Sequence, residues 1–484
     1  MTLAELLKDV DIVETQGNID TKISGITFSS NEVKPGYAFI CIKGFKQDGH
    51  DFAADALERG AVAIVSERRL DDIAATTVVT KNTRLAASKM AAALHDYPFR
   101  KFRLFGVTGT NGKTTTTYLV KTILENCGMK VGLIGTNQNM IASEVIPSHH
   151  TTPDSVELME LFDRMAGAGV DAVVMEVSSH SLALDRVAAC EFDVAAFTNV
   201  TQDHLDFHKT MDNYIEAKSR LFKMCRAGVF NADDAAFEKM SADCTCGKLK
   251  YGLGLSDGLS AENIEYKATG VEFDMSYGGE TVRVKLAIPG KFSVYNALTA
   301  SGCCLAAGLD LGTIAEGLAA AHGVKGRIEV VNTDTDYTVI IDYAHTPDGL
   351  LNILNAIRGF AKGRIVTLFG CGGDRDKTKR PKMGKIAGEL SDFCIVTSDN
   401  PRTEEPGAII KDILAGISET DCEYVVVENR FEAIEYALDH AKSDDIILLA
   451  GKGHETYQIL KDRTIVFDER EIVQKLIDHT EGVR

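Results

Sequence analysis

A short apolar strand leads directly into a glycine-rich turn at residues 104–117, LFGVTGTNGKTTTT. The turn ends in Lys113 and Thr114, and a helix is predicted to follow. Backbone N–H groups in such a turn and the positive end of the helix bind phosphate oxygens, while the lysine ammonium reaches the β- and γ-phosphates. The order of strand, turn, Lys-Thr and helix therefore predicts a nucleoside triphosphate site. The Thr114 hydroxyl is positioned to hold Mg²⁺.

The spacing of this turn departs from the common P-loop pattern. Val107 occupies the position five residues before Gly112 where a glycine is usual. The alternative is an ordinary glycine turn with a solvated Lys113. Strand, glycines and Lys-Thr occur together and in order, which favours phosphate binding. The candidate ATP-binding residues are Gly109, Thr110, Asn111, Gly112, Lys113, Thr114 and Thr115.

Length and composition restrict the class of protein. A chain of 484 residues suggests about three domains, and 45% hydrophobic residues suffice for substantial cores. A net charge of −18 argues against nucleic acid as a partner. The start of the chain lacks the basic and apolar segments of a signal peptide, and no apolar run could span a bilayer. We therefore expect a cytoplasmic protein with no membrane partner.

The eleven cysteines show no metal-binding spacing. Cys244 and Cys246 are separated by one residue only, and Cys303-Cys304 falls in an alanine-rich helical stretch. An odd number of cysteines without a secretion signal is typical of reduced, mostly buried thiols.

The alternation of strands and helices predicts an α/β protein of three domains. Residues 1–98 contain short strands at Tyr37–Ile42 and Ala61–Val65. Residues 99–326 surround the phosphate loop, with apolar runs at Val170–Val177 and Phe192–Thr198 and a helix at about Val294–Ala307. Residues 327–484 form the third domain.

Four predicted strands of the third domain end in polar loops. Thr338–Ile341, Ile365–Phe369, Phe393–Thr397 and Ile446–Leu449 are followed by DYAHTPD, GCGGDRD, SDNPR and GKGHE. Ligands of open parallel sheets bind beyond the carboxyl ends of the strands. We expect one site along that edge.

Three further residues of the second domain are candidates with ordinary alternatives. Glu176 ends a strand beside the phosphate loop and is a natural magnesium ligand, or else a solvated loop acid. His204 lies four residues before His208, but the glutamate of the zinc protease motif is missing, and helix capping or core packing would also explain the segment. Lys218 lies on a predicted helix, where a lysine is usually a charge partner.

The motifs GTNGKTT, MEVSSH, FTNVTQDHLDFH and EAKSRLF, in this order, resemble the Mur ligases of peptidoglycan synthesis, especially those that add 2,6-diaminopimelate. The resemblance extends from about residue 25 to 455. It implies an N-terminal α/β domain for a UDP-linked substrate, a central P-loop ATPase-like domain with a parallel or mixed sheet, and a C-terminal Rossmann-like domain for ATP and the incoming amino acid.

The resemblance also implies roles for residues around the nucleotide. Lys113 and Lys218 would be catalytic with Glu176 and His204. Lys218 would carry a carbamate formed with CO₂ (N6-carboxylysine), and Thr114, Glu176, His204 and this carbamate would surround two Mg²⁺ ions. Asn296 would contact adenine, Arg327 the γ-phosphate, and Asp342 a ribose hydroxyl or a metal-linked water. The alternatives are a helix-interior amide, an interdomain salt bridge and a strand-end cap.

Two groups of substrate residues follow from the same resemblance. The UDP-substrate residues would be Ser30, Thr151, Thr152, Ser178 and Arg186. The family's Asp-Ser-Arg stretch reads Ser29-Ser30-Asn31 here, and Leu184 replaces a glutamine found in some relatives. The diaminopimelate residues would be Arg375, Asp399, Asn400, Pro401, Arg402, Gly451 and Glu455. An arginine fork binds the second carboxylate of diaminopimelate in bidentate fashion, and the alternative is a surface turn.

The implied reaction uses ATP to activate the D-glutamate of UDP-N-acetylmuramoyl-L-alanyl-D-glutamate as an acyl phosphate. The amine of meso-diaminopimelate then displaces phosphate, in a protein expected to be monomeric. Two alternatives stay open: a lysine-adding relative, and a non-catalytic switch that binds a partner protein on ATP binding.

Overall fold

The computed structural model describes residues 1–45, 47–70, 73–148, 150–242, 244–267, 269–321 and 323–481. The chain divides into two compact units. Unit 1 comprises Met1–Gly252, Asp257–Leu259 and Thr299–Asp310, and unit 2 comprises Leu253–Ser256, Ser260–Leu298 and Leu311–Arg484. The three-domain division at residues 98 and 326 stays a prediction.

The first part of unit 1 is a five-stranded sheet with three helices. Its elements are α1 (Leu3–Leu6), β1 (Ile12–Gln16), β2 (Gly25–Thr27), β3 (Tyr37–Ile40), α2 (Ala53–Glu58), β4 (Ala63–Ser66), β5 (Thr76–Thr80) and α3 (Thr83–Leu94). The strand order is β1-β5-β4-β3-β2, with only β1 antiparallel to its neighbour. Helix α3 begins after Asn82, whose side chain accepts a hydrogen bond from the Leu85 N–H.

The second part of unit 1 contains the phosphate loop. Its elements are β6 (Arg103–Thr108), α4 (Lys113–Asn126), β7 (Val131–Ile134), β8 (Asn139–Ile141), β9 (Glu144–Ile146), α5 (Ser155–Gly167), β10 (Ala172–Glu176), α6 (Ser179–Ala183), β11 (Phe192–Phe197), α7 (Leu205–His208), α8 (Met211–Ser219), β12 (Cys225–Asn231), α9 (Phe237–Ser241) and β13 (Gly247–Leu253). The strand order is β13-β12-β11-β6-β10-β7-β8-β9, and the strands from β13 to β7 are parallel. The loops after β6, β10 and β11 therefore lie at one edge of the sheet.

The first part of unit 2 is antiparallel. Its elements are β14 (Leu259–Lys267), β15 (Gly270–Tyr277), β16 (Glu280–Leu286), the first half of α10 (Lys291–Ala306) and α11 (Leu311–Ala319). The second half of α10, from Thr299 onward, belongs to unit 1. Strand β15 pairs with both β14 and β16. Val271, Phe273 and Met275 of β15 are buried while the residues between them are partly exposed, as expected for a sheet with one covered face.

The last part of unit 2 is a sheet covered by helices on both faces. Its elements are β17 (Glu329–Val331), β18 (Thr338–Asp342), α12 (Pro347–Arg358), β19 (Ile365–Phe369), α13 (Lys379–Leu390), β20 (Phe393–Val396), α14 (Pro406–Ile417), β21 (Glu423–Val426), α15 (Arg430–Asp439), β22 (Ile446–Ala450), β23 (Tyr457–Ile459), β24 (Thr464–Val466) and α16 (Glu469–Glu481). The order is β17-β18-β22-β19-β20-β21, and all but β17 are parallel. One core contains side chains of α12, α13 and α14, and the other those of α15 and α16.

The predicted α/β fold is confirmed. The strand predicted at Ile365–Phe369 has those bounds, and the other eight predicted elements differ from the observed ones by a few residues at their ends. Sheet β18-β22-β19-β20 brings the four polar loops to one edge, as parallel pairing requires. Within the described ranges, no helix combines the length and the apolar character needed to cross a membrane.

Candidate active site

The turn between β6 and α4 has the backbone conformation that its glycines predict. Gly109 and Gly112 have φ values of +151° and +84°. A Cβ atom at Gly109 would collide with the Thr198 hydroxyl, so only glycine fits there. The Lys113 ammonium donates to the carbonyls of Gly109 (3.0 Å) and Thr110 (2.8 Å). Thr115 lies in the first turn of α4, and Asn111 N–H donates to the side-chain oxygen of Asn199 (3.0 Å).

Glu176 lies beside this turn at the end of β10, where it is buried. The Thr114 hydroxyl donates to its Oε1 (3.0 Å). Thr136, which follows β7, donates its N–H to Oε1 (2.8 Å) and its hydroxyl to Oε2 (3.1 Å). A Cβ atom at Gly135 would lie 2.5 Å from Oε1. The structure therefore brings Thr114 and Glu176 together and adds Thr136, which sequence reasoning missed although it follows a parallel strand.

Lys218 is buried in α8 and points at the phosphate turn. Its amine donates to the Gly109 carbonyl (2.7 Å), the same oxygen that accepts from Lys113, and lies 4.5 Å from the centre of the Tyr214 ring. Burial and the nearby Lys113 charge lower the pKa of Lys218 well below its usual value. The two lysines are thus neighbours at one oxygen, a relation that the sequence separation of 105 positions conceals.

His204 is not hydrogen-bonded to this group. Its side chain is half exposed, lies 3.3 Å from the Asp203 carboxylate and packs edge-on against His180, with ring centres 4.7 Å apart. His204 has φ +51°. The ring of His208 is buried, with Nε2 2.9 Å from the Ser179 hydroxyl, which is the core-packing alternative considered for that residue.

Four of the five predicted UDP-substrate residues form one network. The Thr152 hydroxyl donates to the Glu176 carbonyl (2.9 Å) and accepts from the Ser178 N–H (3.1 Å). Arg186 donates to the Thr152 carbonyl (2.9 Å). The Thr151 hydroxyl lies 3.0 Å from the Thr136 hydroxyl, which connects the network to the Glu176 cluster.

Ser30 lies elsewhere in unit 1, in a cavity of about 550 Å³. The cavity is lined by polar and aromatic side chains, among them Ser29, Asn31, Phe45 and Gln47.

Arg84 is a second basic group near the Thr152 network. Its Nη2 donates to the Lys43 carbonyl (2.9 Å). Burial and the positive charge of Arg186 lower the pKa of Arg84, so the two guanidinium groups lie close enough to repel. Paired arginines of this kind suit an anionic group. Sequence reasoning missed Arg84 because a single arginine on a helix carries no motif.

The ATP candidates of unit 2 lie in α10, in the loop before β17 and at the end of β18. Asn296 is buried in α10. The Arg327 guanidinium lies 5.2 Å from the centre of the Tyr343 ring, and its Nε is buried with no hydrogen-bond partner among the described residues. Asp342, at the end of β18, accepts the N–H groups of Ile328 and Ala344 (both 2.9 Å). Burial raises the pKa of Asp342 despite the Arg327 charge. The strand-end cap considered for Asp342 is therefore present.

The candidates for the amino-acid pocket converge at the carboxyl edge of the unit 2 sheet. Asn400 donates its side-chain amide to Glu455 (2.9 Å) and its backbone N–H to Asp399 (2.6 Å). The buried Lys452 bridges the same pair, at 3.1 Å from Asn400 and 3.3 Å from Glu455. Pro401 is buried. Lys452 therefore belongs to this cluster, although it was not among the predicted pocket residues. It lies within the predicted GKGHE loop.

Two arginines flank Gly372 beside this cluster. Arg402, with φ +52°, donates to the Gly373 carbonyl (2.9 Å). A Cβ atom at Gly372 would lie 2.9 Å from Arg402 Nη1 and 3.9 Å from Arg375 Cγ. The exposed Arg375 donates to the Asp374 carbonyl of its own loop (3.0 Å). A Cβ atom at Gly451 would lie 2.8 Å from the Asp399 carboxylate, so this loop approaches closely as well.

Arg380 joins the two loops that carry these arginines. It is buried, donates to both carboxylate oxygens of Glu404 (2.8 and 3.1 Å), and donates to Asp412 (2.9 Å). Glu404 in turn accepts the Asp374 N–H (2.7 Å). Arg380 is a positioning residue that no sequence motif indicated.

Unit 1 therefore holds a phosphate turn with buried carboxylate and lysine partners, and unit 2 holds a polar, arginine-flanked loop cluster. Together with the parallel sheets, these features define a nucleotide-dependent α/β enzyme class. The Mur ligase family catalytic domain matches residues 22–97, the Mur ligase middle domain residues 107–304, and the Mur ligase glutamate ligase domain residues 326–453. This chain belongs to the Mur ligase family.

Two relatives are similar over almost the full length. The UDP-N-acetylmuramoyl-L-alanyl-D-glutamate–2,6-diaminopimelate ligase of Caldanaerobacter subterraneus is 50% identical over 99% of this chain and 100% of its own. Ligase 1 of the same name from Clostridium acetobutylicum is 49% identical over 99% of each chain. A solved structure of a ligase of this name has a TM-score of 0.76 at 30% identity, over 99% of each chain.

Proposed function

We propose that this protein is the ATP-dependent ligase that adds meso-2,6-diaminopimelate to the D-glutamate of UDP-N-acetylmuramoyl-L-alanyl-D-glutamate in peptidoglycan precursor synthesis. Near full-length relatives at about half identity carry this activity in their names. The observation that carries the proposal is the pair of arginines, Arg375 and Arg402, around Gly372. They lie in the same loop cluster as Asn400, Glu455 and Lys452.

This cluster has the charges that a diamino dicarboxylic acid requires. The guanidinium of Arg402 is suited to a carboxylate, and it is already held by the Gly373 carbonyl. The carboxylates of Asp399 and Glu455 are suited to an ammonium group. Lysine has no second carboxylate, so it would leave the arginine side of the cluster without a partner. The cluster therefore favours diaminopimelate over the lysine alternative.

Charge neutralisation is the proposed task of the phosphate turn. Lys113 would exchange its carbonyl contacts for the phosphates of ATP while the D-glutamate carboxylate attacks the γ-phosphorus. Phosphoryl transfer depends mainly on positioning and on stabilising spread negative charge. The Arg327 Nε is buried without a hydrogen-bond partner among the described residues, which supports binding of an anion by that guanidinium. Asn296 and Asp342 complete the proposed ATP contacts, with Gly109, Thr110, Asn111, Gly112 and Thr115 in the turn.

The residues present fit Mg²⁺. The Thr114 hydroxyl and the Glu176 carboxylate form an oxygen-rich group beside the phosphate turn, and hard cations prefer oxygen ligands. Two Mg²⁺ ions, when bound, would neutralise phosphate charge there. The proposal that His204 lies near a metal ion rests on the family resemblance alone. In this structure the His204 ring lies beside the Asp203 carboxylate.

Lys218 is proposed to carry a carbamate. Its amine has an unusual setting, buried against the Tyr214 ring and sharing a carbonyl with Lys113. Addition of CO₂ forms an N–C bond and releases one proton. The product is a carboxylate-bearing side chain that would pair with Lys113 instead of repelling it. This setting supports the modification.

Substrate binding in unit 1 is proposed to use both groups of predicted residues. The Ser30 cavity has room and aromatic walls for a base. Thr151, Thr152, Ser178 and Arg186, with Arg84, supply hydroxyls and positive charge for the sugar, diphosphate and peptide parts. The further proposals are a monomeric, cytoplasmic protein of cell-wall and cell-division metabolism, divided into domains 1–98, 99–326 and 327–484.

The test is phosphate release from ATP by the full-length protein with the UDP-dipeptide and one amine at a time. We expect release with meso-diaminopimelate, little with lysine, and none without an amine beyond a single turnover. Preference for lysine would support the lysine-adding alternative. ATP binding with no amine-dependent release from any diamino acid would support the non-catalytic switch. The Lys113→Ala variant is the inactive control.

A further inference from the structure

Three cysteines converge at one end of the phosphate-loop sheet. Cys225 is the first residue of β12, and Cys244 and Cys246 lie just before β13. The Cys246 Sγ is 3.5 Å from the Cys225 Sγ and 3.0 Å from the Cys244 Sγ, and all three atoms lie within 4.8 Å of one another. Within the described part of the chain, no other set of three His, Cys, Asp or Glu side chains brings its ligand atoms together in this way. We call these residues the thiol cluster.

Parallel pairing explains why the thiol cluster forms and where it lies. Ala227 of β12 pairs with Gly247 of β13, so Cys225 and the segment before β13 share the amino edge of the sheet. The phosphate turn is at the carboxyl edge, where Asn231 ends β12. The seven residues of β12 are joined by six steps of about 3.3 Å, which separate the two edges by about 20 Å. The thiol cluster is thus distinct from the candidate active site.

The thiol cluster is buried on one side and accessible to solvent on the other. Cys244 is buried, and a Cβ atom at Gly228 would lie 3.1 Å from its sulfur. Cys225 and Cys246 are partly exposed. A cysteine that binds a cation does so as the thiolate, so each ligand of the thiol cluster gives up its proton on binding.

We propose that the thiol cluster binds one thiophilic d¹⁰ cation, of the class of Zn²⁺ and Cd²⁺, through three sulfur atoms. Three S–H bonds break, three sulfur–metal bonds form, and the three protons go to solvent. A water molecule completes the coordination. Metal–sulfur bonds of about 2.3 Å in tetrahedral or trigonal geometry set sulfur atoms about 3.7–4.0 Å apart. Two of the separations, 3.0 and 3.5 Å, are shorter than that spacing by about 1 Å or less, and the third is at most 4.8 Å, so small side-chain rotations suffice.

This site would tie the start of β12 to the segment before β13. A ligand that binds the folded state alone stabilises it in proportion to the logarithm of its concentration over Kd. The expected effect of the cation is therefore a higher Tm, while ligation turnover stays the same because the active site is at the other edge.

The experiment titrates the full-length, phosphine-reduced protein with CdCl₂ in the presence of a competing chelator. We expect one equivalent to bind with the ultraviolet charge-transfer band of cadmium thiolate. Cys225→Ser and Cys246→Ser should each weaken binding at least tenfold and remove most of the band. The same two variants should lose the rise in Tm that Zn²⁺ produces. Cys246→Ala, at a partly exposed position, serves if a serine variant folds poorly.

The matched control is Cys422→Ser, which alters a two-thiol pair with Cys394 (Sγ to Sγ 3.7 Å). It should bind cadmium as the unchanged protein does, as should Cys127→Ser. Equal loss in Cys422→Ser, or no loss in Cys225→Ser and Cys246→Ser, would overturn the proposal. So would a disulfide within the thiol cluster that persists under the phosphine reductant.

Discussion

Lys113 and Lys218 donate to one and the same carbonyl oxygen, that of Gly109. Two ammonium groups at one oxygen repel, and burial of Lys218 adds a desolvation cost. The arrangement is favourable once one of the two amines becomes an anion. Repulsion from Lys113 and burial are therefore the physical reason for a modification at Lys218, since a carbamate there would attract Lys113.

Replacing Lys218 with alanine should abolish ligation, by about a hundredfold or more, without unfolding the protein. The reason is the loss of the anionic group that would pair with Lys113 and the metal ions. Ligation rate and circular dichroism are the measurements, and added acetate should restore part of the rate. Lys239→Ala, at an exposed ion pair with Asp212, is the control. A fully active Lys218→Ala variant would contradict the carbamate proposal.

Replacing Lys113 with alanine should remove acyl-phosphate formation while ATP still binds. Its charge matters most when negative charge spreads over the transferring phosphoryl group, a contribution of about 3 kcal/mol to the barrier. Single-turnover ADP formation with the UDP-dipeptide measures the step, and nucleotide binding is measured separately. Lys121→Ala in the same helix, where Lys121 pairs with Glu125, should behave normally. Unchanged ADP formation would refute the role.

Replacing Arg402 with alanine should raise the KM for diaminopimelate at least tenfold, equivalent to about 1.4 kcal/mol. The second carboxylate would lose its guanidinium partner in a partly buried loop. The KM values for ATP and the UDP-dipeptide should change little. The low activity with lysine as the amine should also stay nearly the same, because lysine lacks that carboxylate. Arg463→Ala, at an exposed position, is the control. An equal loss for all three substrates would make Arg402 a structural residue.

Two loops of unit 2 depend on one ion pair between a buried arginine and a partly exposed glutamate. Arg380 at the start of α13 holds Glu404, and Glu404 holds the Asp374 N–H of the neighbouring loop. The Arg380 guanidinium, the Asp374 N–H and Lys377 lower the pKa of Glu404 to about 2. The geometry around Arg375 and Arg402 thus depends on a carboxylate remaining ionised.

The lowered pKa of Glu404 predicts that the stability of the protein depends on pH. The folded pKa of Glu404 lies below its unfolded value, so its contribution is present above about pH 4.5 and is lost as the pH falls toward 2. Urea midpoints at pH 6 and pH 3 measure the loss. Glu404→Gln should be less stable at pH 6, because Arg380 loses its partner, and should lose less on acidification. Glu405→Gln, the exposed neighbour, is the control. The same pH response in Glu404→Gln and wild type would contradict this account.

The net charge of the complete chain, −18, disfavours association of like chains. We therefore expect sedimentation equilibrium at moderate salt to give a single species of 52.4 kDa. The measurement should not change with protein concentration in the micromolar range. A concentration-dependent shift toward twice that mass would contradict the monomer proposal.

The sequence alone determined the features that depend on consecutive residues. The phosphate turn needs Gly109 and Gly112 at defined positions before Lys113, and the unit 2 strands are apolar runs followed at once by polar loops. Both patterns are local, because backbone conformation and burial of a strand depend on neighbours along the chain. The α/β class, the strands and the loops that carry Arg375 and Arg402 could therefore be predicted, as could the family.

Only the tertiary structure decided which distant side chains meet. Thr136 reaches Glu176 because β7 and β10 are adjacent. Arg380 reaches Glu404 and Asp412 because α13 and α14 share one core. Cys225 joins Cys244 and Cys246 because β12 and β13 pair in parallel. Burial of Lys218 likewise follows from packing, since a helix lysine is usually solvated. Such contacts depend on strand order and desolvation, which arise only when the complete chain has folded. The residues involved therefore show no characteristic spacing in the sequence.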